Sequence, residues 1–361
     1  MSTRIAIIGG FLGAGKTTLM TNLAKRYMGE GRSVAVITND QGEVLVDTQY
    51  AEGCGVHTAE VLKGCFCCKF PEFIESARKL VDSVRPDIIM AEPVGSCTDL
   101  LATVVAPLKF RFPSEFEVAP LIVLLDATRI SEGVEDAGSL GAYLRRHQVQ
   151  EAEIIIISKT DLVPNDEAQG LTDVVKEMSP GARVIPYSSI TKEGVEEIAR
   201  LIISKDRSSK RPVDVDYDLY AQAEAELGWY NGSYDFELSR EIDSYDLATR
   251  ILRKVAESYG SGEIAHVKLL FSSAMNALKM SLVFQEIGVD GVRGSRKAKG
   301  QCTLNMNARV LSSPERLRTV LRDAVLSVLE EEGVGVINFS DDCFSPGRPS
   351  PTYRMTEDSG A

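Results

Sequence analysis

The first two hundred residues contain short apolar segments separated by longer amphipathic ones. The apolar segments are nearly continuous rather than alternating, which is typical of parallel strands buried on both faces. They are Ile5–Ile8, Val34–Ile37, Ile88–Met90, Leu121–Leu125 and Ile154–Ile157. The amphipathic segments predict helices at Lys16–Tyr27, Pro71–Val84, Ala137–His147, Glu167–Met178 and Glu193–Ile203. This alternation predicts an α/β domain with a doubly wound, mostly parallel sheet.

The pattern changes after a polar stretch, Ser204–Asp218, which has the composition of a linker. Five segments beyond it are strand-like: Tyr234–Glu241, Ala265–Phe271, Ala277–Phe284, Thr303–Leu311 and Val334–Phe339. Two helices are predicted among them, Tyr245–Tyr259 and Pro314–Glu332. This order predicts a smaller α+β domain of the ferredoxin-like type. We therefore predict a first domain at residues 1–210, a C-terminal domain at 219–345 and a flexible, Pro- and Ser-rich tail at 346–361.

Composition narrows the class of protein. With 44% hydrophobic and 25% charged residues, the 361-residue chain is typical of a globular protein. Its net charge of −12 disfavours nucleic acid as a partner. No apolar run is long enough to span a membrane, and the first residues lack the core of a signal peptide, so we expect a cytoplasmic protein that has no membrane partner.

A glycine-rich sequence follows the first predicted strand directly. It fits the pattern G-x-x-x-x-G-K-[ST] and precedes a predicted helix, which is the context a P-loop requires. Backbone N–H groups of such a loop converge on phosphate oxygens. Lys16 is expected to reach the β and γ phosphates, and the Thr17 hydroxyl to bind Mg²⁺. The predicted nucleotide-binding residues here are Gly10, Gly13, Ala14, Gly15, Lys16, Thr17 and Thr18.

A carboxylate ends the predicted strand Ile88–Met90, in the sequence Glu92-Pro93-Val94-Gly95. Because strand ends in such sheets face the ligand, Glu92 is expected to hold Mg²⁺ or to orient the attacking water. Alone, a Glu at a strand end is often only a solvated end. Lys16 and Glu92 are therefore candidate catalytic residues in combination with the P-loop.

The sequence Ser158-Lys159-Thr160-Asp161 follows another predicted strand and resembles the guanine motif N-K-x-D with Ser in place of Asn. Asp161 is expected to accept hydrogen bonds from the guanine N1–H and N2–H₂ groups, which adenine lacks. Lys159 is expected to lie along the base, while Ser158 leaves one usual contact open. Ser188, after a further short strand, lies where a second base-contacting loop is expected. For the sequence Ser158–Asp161, the alternative to a base-binding motif is a turn that caps the next segment.

Three cysteines crowd into Gly64-Cys65-Phe66-Cys67-Cys68. Thiolates are soft ligands that suit Zn²⁺, Co²⁺ or Cu⁺, and three protein ligands leave a position open for a transferable metal. Cys65, Cys67 and Cys68 are therefore candidate ligands of a transition metal, Zn²⁺ or Co²⁺. Buried small hydrophobic residues and a redox disulfide are the alternatives.

The order of GGFLGAGKTTL, VITNDQGEVLVD, E-x-x-G, GCFCC and SKTDL resembles that in the CobW-like metallochaperone GTPases, which are relatives of the urease and hydrogenase nickel-insertion GTPases. The resemblance covers about the first 205 residues. It implies a P-loop GTPase domain that hydrolyses GTP with Mg²⁺. It also implies that Asn39–Val44 is the first switch, with Asp40 near Mg²⁺ as a further catalytic residue and Glu43 near the transition metal.

We hypothesise that GTP binding orders Glu43 and the three thiols into one metal site, and that hydrolysis releases the metal to a client. The expected partner is a client metalloprotein or a corrinoid-related protein, and a nucleotide-dependent homodimer is a feature of relatives. Three alternatives remain open: a GTPase chaperone of a corrinoid-dependent enzyme without metal transfer, a small-molecule kinase, and a nonenzymatic metal or redox sensor.

Overall fold

The structure, a computed structural model, describes residues 2–39, 56–61, 64–130, 140–260, 262–283 and 285–356, with the side chains of residues 140 and 165 excepted. These residues form two compact units. The first contains the described residues up to 223 together with 348–356, and the second contains those from 224 to 347. None of the helices in the described ranges is long and apolar enough to cross a bilayer.

The first unit is built on a sheet in which all described pairings are parallel. Its strands are β1 (Thr3–Gly10), β2 (Val34–Asn39), β3 (His57–Val61), β4 (Ile88–Glu92), β5 (Phe116–Val118), β6 (Ile122–Asp126), β7 (Ile154–Ser158) and β8 (Arg183–Tyr187). The order is β3-β2-β4-β1-β6-β7-β8, with β5 also paired to β1. The predicted parallel α/β sheet is confirmed, and β3 and β5 are strands that the apolar pattern did not indicate.

The helices of this unit connect the strands. They are α1 (Lys16–Gly29), α2 (Phe70–Val84), α3 (Ala106–Arg111), α4 (Leu140–Glu151), α5 (Asn165–Met178), α6 (Val195–Ile203) and α7 (Tyr217–Ala225, whose last two residues belong to the second unit). A single π-helical turn, Leu101–Val105, precedes α3. The buried faces of α1 and α6 join strands β1, β4, β6 and β7 in one hydrophobic cluster.

The strand order places the carboxyl end of β1 at a topological switch point. The chain moves from β1 to β2, β3 and β4 on one side of the sheet, and then to β6, β7 and β8 on the other. In open α/β sheets, ligands bind in the crevice outside the strand ends at such a point. The P-loop that follows β1 therefore lies where the fold provides a binding crevice.

The segment expected to be a linker is held against the first unit before α7 begins. The Arg4 guanidinium donates to the carbonyl of Ile202 at 2.8 Å and to that of Asp206, and the amide of Ser208 donates to the Val118 carbonyl at 3.3 Å. The tail also differs from the flexible segment we expected, because residues 348–356 pack with the first unit.

The second unit is an antiparallel sheet covered by two helices. Its strands are β9 (Leu227–Asp243), β10 (Ile264–Ser273), β11 (Asn276–Val283), β12 (Glu286–Gly294), β13 (Lys297–Leu311) and β14 (Val336–Phe344), and its helices are α8 (Ser244–Glu257) and α9 (Pro314–Glu331). The sheet order is β12-β11-β10-β13-β9-β14. Four of these strands, β10-β13-β9-β14, have the ferredoxin-like order, which confirms the predicted α+β class. The hairpin β11–β12 extends the sheet at one edge.

Candidate functional site

The P-loop runs from the end of β1 into α1, and glycine is required at both of its ends. A Cβ on Gly10, whose φ is 131°, would lie 2.5 Å from the carbonyl oxygen of Leu124 on β6. Gly15 occupies the N-cap of α1 with a φ of 89°, in the left-handed region that glycine tolerates. The loop can therefore pass close to the sheet and present its backbone N–H groups at a helix N-terminus, where anions bind.

Three of the predicted side chains meet at this helix start. The Thr17 hydroxyl donates a hydrogen bond to Glu92 Oε2 at 2.7 Å, and the Lys16 ammonium lies 3.8 Å from Glu92 Oε1. Lys16 also donates to the carbonyls of Gly10 at 2.8 Å and Phe11 at 3.3 Å. All three side chains are buried. The structure thus brings together one cation, one hydroxyl and one carboxylate beside the phosphate loop.

The loop after Glu92 lies against the P-loop. A Cβ added to Gly95 would lie 2.7 Å from a methyl group of Leu12 and 3.1 Å from both the Leu12 nitrogen and Lys16 Nζ. The amide of Gln148, which is fully buried, donates to the carbonyls of Gly95 at 2.9 Å and Cys97 at 2.8 Å. This clamp fixes the 93–97 loop next to the lysine. We did not anticipate it, because the motif alone indicates only the carboxylate.

The candidate base-binding residues follow β7. The Ser158 hydroxyl lies 2.8 Å from the carbonyl of Ala14 and 3.0 Å from that of Leu125, so it ties the P-loop to the sheet rather than pointing to a base. Lys159 has a φ of 61° and forms an ion pair with Asp126 at 2.6 Å. Asp161 is exposed in the short turn that follows, where its carboxylate is accessible to a ligand.

Of the remaining predicted residues, the structure describes Ser188 but not Asp40 or Glu43. The Ser188 hydroxyl is buried and accepts hydrogen bonds from the amides of Ile190 at 3.1 Å and Thr191 at 3.0 Å, so it organises its own loop. Asp40 and Glu43, predicted near Mg²⁺ and the transition metal, lie outside the described residues.

The three clustered cysteines form a tight turn that leads into α2. The amides of Cys68 and Lys69 donate to the Cys65 carbonyl at 3.0 and 2.8 Å, which folds the chain back on itself. The Sγ atoms of Cys65 and Cys67 are 2.8 Å apart, those of Cys65 and Cys68 3.1 Å, and those of Cys67 and Cys68 3.7 Å. The three sulfurs therefore converge as ligands of one ion would, and all three cysteines are free of disulfides.

Hydrogen bonding within this turn favours neutral thiols. The pKa of Cys67 is raised well above its usual value by hydrogen bonds with the thiols of Cys65, Cys68 and Cys97, and by burial. The hydrogen bond with Cys65 is the main cause that raises the pKa of Cys68 to about 11. Since metals bind thiolates, metal uptake at neutral pH would release protons from this turn.

Asn39, at the end of β2, connects the cysteine turn to the nucleotide end of the sheet. Its side-chain amide donates to the carbonyls of Val61 at 2.9 Å and Gly64 at 2.7 Å, and its Oδ1 accepts from the Phe66 amide at 2.9 Å. The preceding residue on β2, Thr38, is in register with Glu92 on β4. The sequence predicts Asn39 at the start of a switch, and these three hydrogen bonds are visible only in the folded chain.

The tail covers the cysteine turn. The Ser350 amide donates to the Cys68 sulfur at 3.3 Å, and Thr352 donates to the Cys67 carbonyl through its amide at 2.8 Å and to the Cys68 carbonyl through its hydroxyl at 3.2 Å. Farther along, Arg354 forms an ion pair at 2.8 Å with Asp99, whose side chain is 1% exposed. Residues 348–356 therefore belong to the candidate metal site, which their composition did not indicate.

The chain is similar in sequence to known proteins. The chain matches the family described as CobW/HypB/UreG, nucleotide-binding domain, over residues 4–186, which is just over half of its length. It is 30% identical over 225 residues to a protein named zinc chaperone CobW from Sinorhizobium sp., a match covering 55% of this chain and 60% of that one. It is 29% identical over 171 residues to zinc chaperone YjiA from Escherichia coli, covering 45% and 51%. The chain thus spans about half of the length of these relatives.

Similar solved structures are more distant in sequence. HypB from Helicobacter pylori in complex with nickel has 19% identity and a TM-score of 0.45, covering 59% of this chain and 92% of that one. Zn(II)-bound YjiA GTPase from E. coli has 18% identity and a TM-score of 0.37, covering 90% and 99%. The family match includes the P-loop, Glu92, the cysteine turn and the Ser158–Asp161 segment. The chain therefore belongs to the CobW/HypB/UreG family, whose nucleotide-binding domain, matched at residues 4–186, lies in its first unit.

Proposed function

We propose that this protein is a GTP-hydrolysing metallochaperone that binds zinc at Cys65, Cys67 and Cys68 and passes it to a client protein. The names of its relatives support zinc as the cargo, since both relatives described above are called zinc chaperones. The three converging thiols support it too, because Zn²⁺ is commonly bound by Cys sulfur in tetrahedral sites. Two of the three ligands are buried, so the ion would be bound largely away from solvent.

The nucleotide end of the site fits a triphosphate with Mg²⁺. Thr17 and Glu92 offer oxygen atoms 2.7 Å apart at the helix start, and oxygen ligands are what Mg²⁺ prefers. When bound there, Mg²⁺ would neutralise charge on the phosphates. Lys16 would exchange its carbonyl partners for phosphate oxygens, and the P-loop amides would orient the γ-phosphate. Glu92, once free of Thr17, can orient the attacking water.

Guanine selectivity is assigned to Asp161. Its exposed carboxylate can accept from both guanine donors, while adenine would leave it without a donor. The ion pair between Lys159 and Asp126 supports a placement of the lysine side chain along the base. Ser158 contributes indirectly, since it fixes Ala14 of the P-loop.

The observation that carries this proposal is the three-bond clamp of Asn39. One side chain at the end of β2 links the backbone on both sides of the metal turn, and its strand neighbour Thr38 is in register with Glu92. Phosphates bound between Lys16 and Glu92 would act on the end of β2 and so on the cysteine turn. GTP and GDP should therefore support different zinc affinities, since a ligand shifts an equilibrium only by its differential interaction with the two states.

The direct test is the zinc affinity of the full chain, measured by competition with a chelator in GDP and in a non-hydrolysable GTP analogue. We expect the two affinities to differ by about 5- to 150-fold, the usual range of allosteric coupling. Asn39→Ala should reduce that difference. Asn22→Ala is the matched control, because its side chain bonds to Tyr187 and Lys192 rather than to the cysteine turn. Equal affinities in the wild-type protein would contradict the coupling.

From its family, we further propose that the protein is cytoplasmic, that its client is a metalloprotein and that it forms a nucleotide-dependent homodimer. Roles for Asp40 at Mg²⁺ and Glu43 at the transition metal remain part of this proposal. Cobalt as cargo and service to a corrinoid enzyme stay predictions, and copurification of a corrinoid protein with the GTP-analogue complex would favour them over zinc delivery.

A further inference from the structure

Gln148 on α4 holds the 93–97 loop at two points. Its side-chain nitrogen donates one hydrogen bond to the Gly95 carbonyl at 2.9 Å and one to the Cys97 carbonyl at 2.8 Å. Because an amide nitrogen carries two hydrogens, both donors are used. The side chain is fully buried, and the Cys97 amide closes the loop on itself by donating to the Val94 carbonyl at 2.9 Å. The loop is therefore fixed both within itself and to α4.

The position of this loop affects two groups of the phosphate site. The loop follows directly after Glu92, whose carboxylate lies 3.8 Å from Lys16 Nζ. A Cβ on Gly95 would lie 3.1 Å from Lys16 Nζ and 3.1 Å from the Leu12 nitrogen. Since packing is this close, a small movement of Gly95 changes the space that is available to the lysine and to the P-loop.

The helix that carries Gln148 also contacts the P-loop. The Arg145 guanidinium lies over the Phe11 ring, 5.2 Å from its centroid, which is within the range of a cation–π interaction. Arg145 and Gln148 are three residues apart, so they are neighbours on one face of α4. One helix face therefore contacts the P-loop and holds the loop after Glu92. This arrangement fixes the two loops relative to each other.

We propose that Gln148 is a positioning residue for GTP hydrolysis, which acts through the backbone of Gly95 and Cys97. Its two hydrogen bonds hold the loop where Glu92 and Lys16 are aligned with the γ-phosphate. Loss of the amide would leave two buried carbonyls without these donors, and the loop would shift to satisfy them. A misplacement of about 1 Å can cost about 100-fold in rate, so the residue need not touch the nucleotide. This inference rests on the phosphate site proposed above and does not depend on zinc.

Single-turnover GTP hydrolysis by the full chain tests this role, because it separates the chemical step from product release. Gln148→Leu removes both donors, and we expect the rate constant of hydrolysis to fall by about 10- to 100-fold while the affinity for GDP is unchanged. Gln150→Leu is the matched control on the same helix, since the side-chain hydrogen bonds to the loop come from Gln148. It should keep the wild-type rate constant.

Gln148→Glu separates positioning from a purely structural role. The introduced carboxyl group can donate one hydrogen bond when it is protonated and none when it is ionised. Burial raises the pKa of a carboxyl group, so we expect the ratio of the variant's rate constant to that of the wild type to rise as pH falls from about 8.5 to about 6. A structural role alone would lower stability and leave this ratio independent of pH while the variant is folded, which circular dichroism checks.

The outcomes separate this inference from the function on which it rests. A wild-type rate constant in Gln148→Leu, or a ratio for Gln148→Glu that does not change with pH, would overturn the positioning role and leave GTP hydrolysis standing. Absence of GTP hydrolysis by the wild-type chain would overturn the proposed function and, with it, this inference. If Gln148→Leu does not fold, the pH dependence of Gln148→Glu decides the matter.

Discussion

Glu151, the last residue of α4, makes the first unit sensitive to pH. Its carboxyl group is 2% exposed and accepts a hydrogen bond from the Leu101 amide at 3.0 Å. Within the described residues, its other oxygen has no hydrogen-bond partner. Burial, and then the nearby charge of Asp99, raise the pKa of Glu151 to about 8 from the ordinary 4.5.

The sign of the effect on stability follows from proton binding. Below about pH 4.5 the carboxyl is protonated in both the folded and the unfolded chain, so its titration has no effect. Between about pH 4.5 and 8 the unfolded chain releases the proton while the folded chain keeps it, and the free energy of unfolding falls as pH rises. One pKa unit corresponds to about 1.4 kcal/mol, so the loss between pH 5.5 and pH 8.5 is about 3 kcal/mol.

Glu151→Gln removes this titration and keeps an acceptor for the Leu101 amide. We expect the variant to gain about 3 kcal/mol relative to the wild type between pH 5.5 and pH 8.5. Hydrogen exchange of the α4 and β7 amides, read by mass spectrometry in denaturant at both pH values, measures the first unit. Fluorescence of Trp229, the single tryptophan, reports on the second unit as an internal reference.

Glu177→Gln on α5 is the matched control, because Glu177 is exposed and the substitution should leave the pH profile parallel to that of the wild type. If Glu151→Gln also ran parallel to the wild type, the carboxyl would titrate normally in the folded protein. The reasoning from its burial would then be wrong.

Three further substitutions probe the loop, the tail and the second unit. The methyl group in Gly95→Ala would clash with the P-loop, so this variant should destabilise the first unit by about 1–3 kcal/mol and hydrolyse GTP more slowly. Gly170 is exposed in α5 with open space around it, so Gly170→Ala should instead stabilise the first unit by up to about 1 kcal/mol. Arg354→Met leaves Asp99 buried without its cation, so the free energy of unfolding measured in urea should fall by about 3 kcal/mol. An unchanged free energy of unfolding would contradict this expectation. Ser313→Ala removes the N-cap of α9 and should lower second-unit stability by about 1 kcal/mol, measured by tryptophan fluorescence.

The central strands could be predicted because burial on both faces leaves a continuous apolar run in the sequence. The edge strand His57–Val61 has only one buried residue, so its sequence carries no such run. The strand Glu286–Gly294 is likewise mostly exposed, which hid the hairpin that extends the ferredoxin-like sheet. Strands at a sheet edge are specified by their backbone partners, and those partners cannot be read from local composition.

In the candidate site too, some residues could be predicted from the sequence and others could not. Lys16, Thr17 and Glu92 were predicted because each motif defines the side chain and its place in the fold. The Ser158 hydroxyl lies within hydrogen-bond distance of the carbonyls of Ala14 and Leu125, which its motif did not indicate. Asn39 was predicted as part of a switch, and only the folded chain shows its three hydrogen bonds around the cysteine turn.

The tail across the cysteine turn bears on how the protein is made. Ser350 lies 282 residues after Cys68, so a ribosome completes the covering segment long after the thiols have emerged. At about 5–20 residues per second, the cysteine turn would remain without its cover for roughly 14–56 seconds in each new chain. Oxidants and adventitious metals can reach the thiols in that interval. A newly made chain should therefore be most vulnerable at this turn while it is still on the ribosome.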